Sequence, residues 1–321
     1  MSQTRKALAA LACASLTGSA LAQTAERLWN FTTYVDLENS ILRPNGQLLF
    51  TTLTNPQLYT VDTTAAEPKA EVVRWFPGVT ALNGLSKVGD DKYAVTGGVR
   101  GSFHYTNETV FTIDFSESSA ANPNVTALEV VATLPDAIML NGLANLPSNP
   151  HILLAADSRV ATIWRIDIDT GSVAPAINST LFSADANATA PIGIDGLKVS
   201  DDGAYAYFTN VYQAIFGRVP ISDDGTTLVA TGEAEIVTQF TADGTWDDFY
   251  LNGTVAYGAQ DPSLLGRIDT TTGEQTNLFN ITELAGGPTS VTPKGDGLTW
   301  LLTSNGDSAG ALSGEVWEII L

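Results

Sequence analysis

Apolar and polar residues alternate over short stretches of this chain, and no segment keeps an apolar residue every three or four positions for the length of a helix. Short runs rich in Val, Ile, Thr, Tyr and Phe are separated by turns rich in Asp, Gly, Asn and Pro. Successive side chains of a strand point to opposite faces of its sheet, so this alternation is typical of β-strands. The pattern predicts an all-β protein with few helices.

The strand pattern repeats along the chain, as a comparison of LNGLSKVGDDKYAV with IDGLKVSDDGAYAYF shows. Each unit opens on a short strand, and its third strand often ends in Ile-Asp. The six opening positions are 41 to 58 residues apart and fall at Glu38, Asn83, Asn141, Asp195, Asp247 and Pro288. This period suits one propeller blade, so we predict a six-bladed β-propeller with four-stranded blades around a central channel. A β-sandwich is the alternative fold.

The two ends of the chain have separate roles in this prediction. Residues 1–22 have the charged start, short apolar run and Ala20-Leu21-Ala22 ending of a secretory signal peptide. Residues 23–321 then form a single propeller domain, in which a strand near Trp29–Val35 completes the last blade beside Glu315–Leu321. The expected location is the secretory pathway, with the protein either secreted or held in a secretory-pathway or vacuolar lumen.

Seven Asn-x-Thr sequons support a glycosylated protein of a eukaryotic secretory route. None has proline in its middle position. They begin at Asn30, Asn107, Asn124, Asn178, Asn187, Asn252 and Asn280.

The composition excludes several classes of function. With 35 acidic and 15 basic residues the formal charge is −20, so no nucleic-acid partner is expected. The single cysteine, Cys13, lies in the predicted signal peptide, which excludes a disulfide framework and thiol catalysis in the mature chain. The two histidines, His104 and His151, are too few for a His-rich metal centre. No apolar run is long enough for a membrane span.

The motifs LNGL, IDGLKVSDDG and LLAADSRVATIWRIDIDTG resemble those of the gluconolactonase/SMP-30 and strictosidine-synthase-like propellers. Gluconolactonase-like members hold a divalent metal with a Glu of the first blade and with Asn and Asp residues of later blades. The resemblance places Glu38, Asn141 and Asp195 at such ligand positions, with Asn83 as a fourth candidate. Oxygen ligands of this kind suit Ca²⁺ or Mg²⁺. A metal-dependent lactone hydrolase is therefore one reading of the chain.

The LENSILRPNG opening, the two LNGL repeats, DGLKVSDDG and GPTSV most resemble a narrower group, the fungal hetero-Diels–Alderases of tropolone-sesquiterpenoid biosynthesis. The resemblance implies a secondary-metabolism enzyme without a cofactor. Its reaction would be an intermolecular, inverse-electron-demand hetero-Diels–Alder cycloaddition of a tropolone o-quinone methide with a humulene-type sesquiterpene. Its partners would be small apolar molecules, and its product a tropolone sesquiterpenoid, which is a meroterpenoid.

Such a cycloaddition needs an apolar chamber and hydrogen-bond donors for the quinone-methide oxygen. The predicted donors at the channel mouth are Asn39, Asn83, Asn141 and Tyr212, and His104 is a candidate acid or base in a predicted long loop, residues 97–109. The predicted substrate-binding walls are Phe103, Tyr105, Phe216, Trp246 and Phe249, with Trp75 as a further candidate. The alternative for the aromatic residues is packing between blades, and for the Asn-Gly and Asp-Gly pairs it is a turn before each inner strand.

The sequence leaves two alternatives for the mouth-loop arginines and a third alternative for the function. Arg100 and Arg159, in mouth loops, could bind an anionic oxygen or pair with carboxylates, whereas His151 is expected to be structural, on the opposite side of its blade. A non-enzymatic binding propeller is the third functional alternative, because propellers host many functions. The sequence does not determine the oligomeric state.

Overall fold

The computed structural model describes residues 23–240, 244–284, 286–295, 297–306 and 313–321. The predicted signal peptide, including Cys13, lies outside these residues. Within them the regular structure consists of 25 strands and one short 3₁₀ turn at Thr180–Phe182. The prediction of an all-β protein with few helices is confirmed. No helix among the described residues has the length and apolarity that crossing a bilayer requires.

The strands form six antiparallel sheets, arranged as six blades. The first strand along the chain is β1 (Thr24–Asn30). Blade 1 consists of β2 (Leu37–Leu42), β3 (Gln47–Thr52), β4 (Gln57–Asp62) and β5 (Ala70–Trp75). Blade 2 consists of β6 (Ala81–Gly89), β7 (Lys92–Arg100), β8 (Tyr105–Asp114) and β9 (Ala127–Thr133). Blade 3 consists of β10 (Leu140–Leu146), β11 (Asn149–Asp157), β12 (Thr162–Asp167) and β13 (Ser172–Asn178).

Blade 4 differs from the others because its third strand has two outer partners. It consists of β14 (Ile194–Val199), β15 (Tyr205–Asn210), β16 (Ile215–Asp223), β17 (Leu228–Ala230) and β18 (Glu235–Gln239). One half of β16 pairs with β18 and the other half with β17. Blade 5 consists of β19 (Trp246–Asn252), β20 (Val255–Gln260), β21 (Leu264–Asp269) and β22 (Gln275–Asn280). Blade 6 contains β23 (Pro288–Pro293), β24 (Thr299–Ser304) and β25 (Glu315–Ile320).

The N-terminal strand closes the ring. β1 is the outermost strand of blade 6 and pairs with β25, from Thr24 opposite Ile320 to Asn30 opposite Glu315. The predicted six-bladed propeller and its closure are therefore confirmed, although the closing strand lies about five residues earlier than expected. After Asn30 the chain bends to enter the inner strand of blade 1, and Phe31 and Val35 bond to the backbone of Gly314 on the way.

Every inner strand carries a β-bulge near its start. Between the first and second strands of each blade the pairing register shifts, as from Leu37 to Ser40 in blade 1 and from Leu140 to Leu143 in blade 3. The same shift occurs in the other four blades. A bulge re-aims the side chains at its centre. The bulged positions are Glu38, Asn83, Asn141, Asp195, Asp247 and Thr289, so the equivalent residue of blade 6 is Thr289 and not Pro288.

Glycine follows the bulged residue where adjacent blades approach closely. A Cβ on Gly84 would lie 2.4 Å from the carbonyl oxygen of Asn141, and one on Gly142 would lie 2.3 Å from that of Asp195. The alternative interpretation of these Asn-Gly pairs, as turns before the inner strands, is wrong. They lie inside β6 and β10, and the glycine is needed because the backbone of the next blade occupies the space.

Buried threonines link the second strand of one blade to the inner strand of the next. Thr51 and Thr209, on the second strands of blades 1 and 4, donate hydrogen bonds of 2.6 and 2.7 Å to bulge carbonyls of the following blade. Thr303 of blade 6 donates in the same way to the carbonyl of Glu38, at 3.1 Å. These bonds satisfy carbonyls that the bulge removes from the strand ladder. They hold the bulged side chains in fixed positions around the channel.

Candidate functional site

The bulged residues form a ring at the end of the channel where all six inner strands begin. Each start lies opposite the end of the second strand of its blade, as Trp246 lies opposite Gln260. The loops between second and third strands therefore rise around the same mouth, as the sequence predicted. Five of the six ring residues carry a carboxylate or an amide, so the mouth is polar and acidic.

Three ring residues form one cluster, the carboxylate trio of Glu38, Asp195 and Asp247, of which Asp247 is half-buried. One carboxylate oxygen of each lies within 4.8 Å of the others. Glu38 and Asp195 are only 5% and 3% exposed. Burial, followed by repulsion from Asp195, raises the pKa of Glu38 and also that of Asp247. Burial and repulsion from Asp248 raise the pKa of Asp195 to about 7.

A trio of this kind can compensate its charge in two ways. A divalent cation such as Ca²⁺ could bind, because carboxylate oxygens from three blades converge on one region. Alternatively, the carboxyl groups could keep protons and act as hydrogen-bond donors. The predicted metal ligands were Glu38, Asn141 and Asp195, and the structure joins Glu38 and Asp195 to Asp247. Asp247 was recognised as a repeat position but not as a ligand, although its place in the repeat was the available signal.

A second set of polar groups lies beside the trio. The Tyr34 hydroxyl donates to Asp36 at 3.1 Å, and the Arg100 guanidinium donates to the same carboxylate at 3.3 Å and to the Leu53 carbonyl at 2.7 Å. Burial raises the pKa of Asp36, and the cation opposes this effect. Of the two alternatives for Arg100, the structure shows the ion pair.

Tyr105 lies between this pair and the blade 3 entrance. It is 2% exposed and packs with Ala81 and Met139. Burial raises the pKa of its phenol, and repulsion from a Glu38 carboxylate adds to that effect. Its hydroxyl therefore stays protonated well above neutral pH. Predicted as a wall residue, Tyr105 is a buried phenol beside the ring.

The Glu108 carboxyl group bonds to the backbone at the start of the inner strand of blade 3. Its Oε1 accepts the Leu140 N–H at 2.9 Å, whereas its buried Oε2 has no partner. Burial is the main reason that the pKa of Glu108 rises to about 8. The Leu140 carbonyl in turn accepts a hydrogen bond from the Asn83 amide. This chain of contacts orients part of the ring.

Two of the predicted donors are engaged with the framework. The Asn83 amide donates to the Leu140 carbonyl, and the Asn39 amide donates to the Asn83 carbonyl at 3.4 Å. Asn39 and Asn83 are therefore used in linking blades. Asn141 remains on the ring at 6% exposure, and Tyr212 lies in the blade 4 mouth loop at 46% exposure.

Two of the predicted walls belong to the core. Phe216 and Trp246 are at most 1% exposed, and their ring centroids lie 5.7 Å apart in a cluster between blades 4 and 5. The prediction that they line the mouth is wrong, because their strand positions face the neighbouring sheet. Phe249 belongs to the same cluster, 5.0 Å from Phe216, but it also borders a cavity at the other end of the channel. Trp75 is 59% exposed on the outermost strand of blade 1.

The predicted long loop of residues 97–109 is mostly an extended hairpin. β7 continues to Arg100, opposite Tyr105 at the start of β8, and a tight turn joins them through a bond from the Gly101 N–H to the His104 carbonyl. His104 is exposed in this turn, and Phe103 is half-buried with a φ of 51°. The histidine therefore lies on a surface turn and not in the buried ring.

The remaining predicted positions lie on the surface or near it. His151 pairs with Asp169 at 2.8 Å in an exposed position, and the Arg159 guanidinium donates to the Pro191 carbonyl. Six of the sequon asparagines are exposed and Asn124 is half-buried; the exposed ones are Asn30, Asn107, Asn178, Asn187, Asn252 and Asn280.

Comparison with known proteins supports the fold and gives one lead on function. No family model matches the chain. A protein of Phoma sp named "Putative hetero-Diels-Alderase" is 28% identical over 236 residues, a match that covers 66% of this chain and 64% of that protein. The chain thus matches less than two thirds of the relative's length.

Solved structures with the same architecture are much less similar in sequence. Regucalcin of Agrobacterium tumefaciens, a calcium-binding protein, has a TM-score of 0.63 at 17% identity, with 92% of this chain and 93% of that one covered. A gluconolactonase of Xanthomonas campestris has a TM-score of 0.62 at 12% identity, with 93% and 89% covered. At these identities the likeness establishes the fold alone.

Proposed function

We propose that this chain is a fungal secondary-metabolism enzyme that catalyses an intermolecular hetero-Diels–Alder cycloaddition. The substrates would be a tropolone o-quinone methide and a humulene-type sesquiterpene. One C–O and one C–C bond form, three π bonds become one, and no group leaves. The observation that carries the proposal is the match to the Phoma sp protein, and the motifs that resemble those of the hetero-Diels–Alderases support it.

The mouth supplies groups that this reaction would use. The Tyr105 phenol keeps its proton beside the ring and can donate to the quinone-methide oxygen, which gains negative charge as the bonds form. The Asn141 amide is a second donor on the ring. Neither a proton relay nor a covalent intermediate is required, because holding the two reactants together can itself supply several kcal/mol.

The test is a cycloaddition assay with purified protein. A tropolone quinone methide is generated in solution from its precursor in the presence of humulenol, and the adduct is measured by chiral chromatography. The protein should raise the yield and impose one stereochemistry. Tyr105→Phe should lower the rate by about tenfold or more, whereas His151→Asn, on the far side of its blade, should not. An unchanged yield and stereochemistry with the native protein would refute the proposal.

The carboxylate trio favours a second candidate, a metal-dependent lactone hydrolase. Its carboxylate oxygens suit a Ca²⁺ ion, and a bound metal supplies polarisation of the lactone carbonyl. Calorimetric titration with Ca²⁺ and a lactone-hydrolysis assay test this candidate. Asp247→Asn and EDTA should then each abolish both binding and hydrolysis. If neither Ca²⁺ nor Mg²⁺ binds and no lactone is hydrolysed, this candidate fails and the cycloaddition stands alone.

The secretory route belongs to the same proposal. The sequons lie on the propeller surface, with only Asn124 half-buried, so glycans are sterically compatible with the fold. Expression in a fungal host should give a chain that begins at Gln23 and loses mass after glycosidase treatment. A chain that retains residues 1–22 and carries no glycan would contradict this part of the proposal.

A further inference from the structure

A cavity of about 420 Å³ occupies the end of the channel opposite the ring. We call it the lower cavity. The later parts of all six inner strands line it, since these strands run from the ring towards it. Its volume is in the range of sites that bind small molecules. Each blade contributes at least one polar lining residue, among them Ser40, Ser86, Asn145, Lys198, Tyr250 and Thr292.

The charges of the lower cavity compensate one another. The Lys198 ammonium lies 2.6 and 2.9 Å from the two carboxylate oxygens of Asp248, which is almost fully buried. The other two charged lining residues, Lys87 and Asp201, are of opposite sign. The buried charges of the cavity are thus paired, and its two exposed charges add no net charge. A charged ligand would have to lose its hydration without meeting a net opposite charge, and this cost is large. The cavity therefore favours neutral molecules.

The uncharged lining combines apolar walls with hydroxyl and amide groups. Leu85, Leu143 and Val291 supply buried apolar surface. The Ser40 hydroxyl lies 3.0 Å from that of Thr292, and the Ser86 hydroxyl donates to the Asn145 amide oxygen at 3.2 Å. Such groups add direction without charge and can bond to a hydroxyl or carbonyl of a ligand.

We propose that the lower cavity is a second ligand site, separate from the ring, and that it binds a neutral small molecule with an apolar body and a hydroxyl or carbonyl group. Apolar surface supplies the affinity, and the hydroxyl and amide groups orient the ligand. The Lys198–Asp248 pair excludes anions and cations. The site does not depend on the reaction at the ring, so either proposal can fail alone.

The first test uses Nile red, a neutral dye whose fluorescence rises in apolar surroundings, with the full chain. One dye should bind per chain and should be displaced by 1-octanol. Octanoate and octylammonium, which have the same alkyl chain but carry charge, should need about tenfold higher concentrations or more. Absence of saturable dye binding, or equal displacement by the three competitors, would overturn the proposal.

Variants locate the site. Leu42→Trp and Val199→Trp place a bulky ring in the cavity from two different blades, at half-buried positions. Each should weaken dye binding by about tenfold or more, while Tyr212→Ala, at the opposite mouth, should leave it unchanged. Circular dichroism and thermal melting verify that the variants fold. Dye binding that depends on Tyr212 instead would contradict the placement.

The charge argument has its own test, which does not require a blocked cavity. Asp248→Asn leaves the Lys198 ammonium without its carboxylate partner. Octanoate should then displace the dye about tenfold more effectively than it does from the native chain, while 1-octanol should change little. An unchanged order of competitors would show that the ion pair does not set the selectivity.

Discussion

Replacing Glu108 by Gln isolates the effect of one buried carboxyl group on stability. Glu108 is 1% exposed, and its pKa rises from 4.5 to about 8, chiefly because burial disfavours the charged form. Gln keeps the size of the side chain and the carbonyl oxygen that accepts the Leu140 N–H. The variant differs from the native protein mainly in having no proton to release.

The sign of the effect follows from proton binding. Below about pH 4.5 the folded and unfolded chains both carry the proton, and the carboxyl group contributes no pH dependence. Between about pH 4.5 and 8 the unfolded chain releases the proton while the folded chain keeps it, so the native free energy of unfolding falls as pH rises. At about 1.4 kcal/mol per pKa unit, the loss reaches at most about 5 kcal/mol by pH 8.

The assay is urea denaturation of both proteins from pH 5 to pH 8.5. The difference in unfolding free energy should move in favour of Glu108→Gln by several kcal/mol across this range. Other titrating groups cancel, because both proteins contain them. Glu129→Gln, at an exposed position on the outermost strand of the same blade, is the matched control and should parallel the native curve. Parallel curves for Glu108→Gln and the native protein would refute the reasoning.

Three further predictions test the framework of the propeller. Gly142→Ala should lower the unfolding free energy by about 3 kcal/mol or more, because its Cβ would lie 2.3 Å from a backbone oxygen of the next blade. The control Gly89→Ala has its nearest contact at 3.5 Å and should cost under about 1 kcal/mol, so equal losses of unfolding free energy in urea would contradict this account. Arg43→Met should cost about 2–4 kcal/mol, because it leaves Asp91 without the buried guanidinium 2.7 Å away. Adding Asp91→Asn should recover part of that loss, and no recovery would show that packing alone is responsible. Removing residues 23–30 should lower the melting temperature by about 10 °C or more, and an unchanged melt would show that β1 is dispensable for closure.

The fold was predictable because the repeat and the strand pattern are both local properties of the sequence. Spacing of the units identified five of the six ring positions correctly, including Asp247. The error at blade 6 arose because Pro288 opens the strand one residue before the bulge, and register shifts leave no separate mark in the sequence. Likewise, a turn stayed open as an alternative for the Asn-Gly pairs, because the contact that requires glycine comes from another blade.

The site was less predictable than the fold, because the direction in which a side chain points depends on the pairing register of its strand. Phe216 and Trp246 are in strands next to the mouth, but their rings point between sheets, a distinction that a single sequence does not contain. The Gly97–Thr109 segment was rich in loop-forming residues, yet β7 and β8 pair through most of it. The convergence of Glu38 with Asp195 and Asp247 depends on closure of the ring, which brings blade 1 near blades 4 and 5.

The repeated bulge also has a consequence for how such a protein changes its chemistry. Each blade presents one side chain to the mouth from its own backbone kink. Of the six, only the Asn83 and Thr289 side chains are themselves shown bonding to the framework. The other four positions, filled here by Glu, Asn, Asp and Asp, therefore act as slots whose side chains can be exchanged. A single substitution in a slot alters the charge and donor pattern of the mouth while the scaffold keeps its bonds. New activities can therefore arise at this ring through single amino-acid substitutions, without any change of fold.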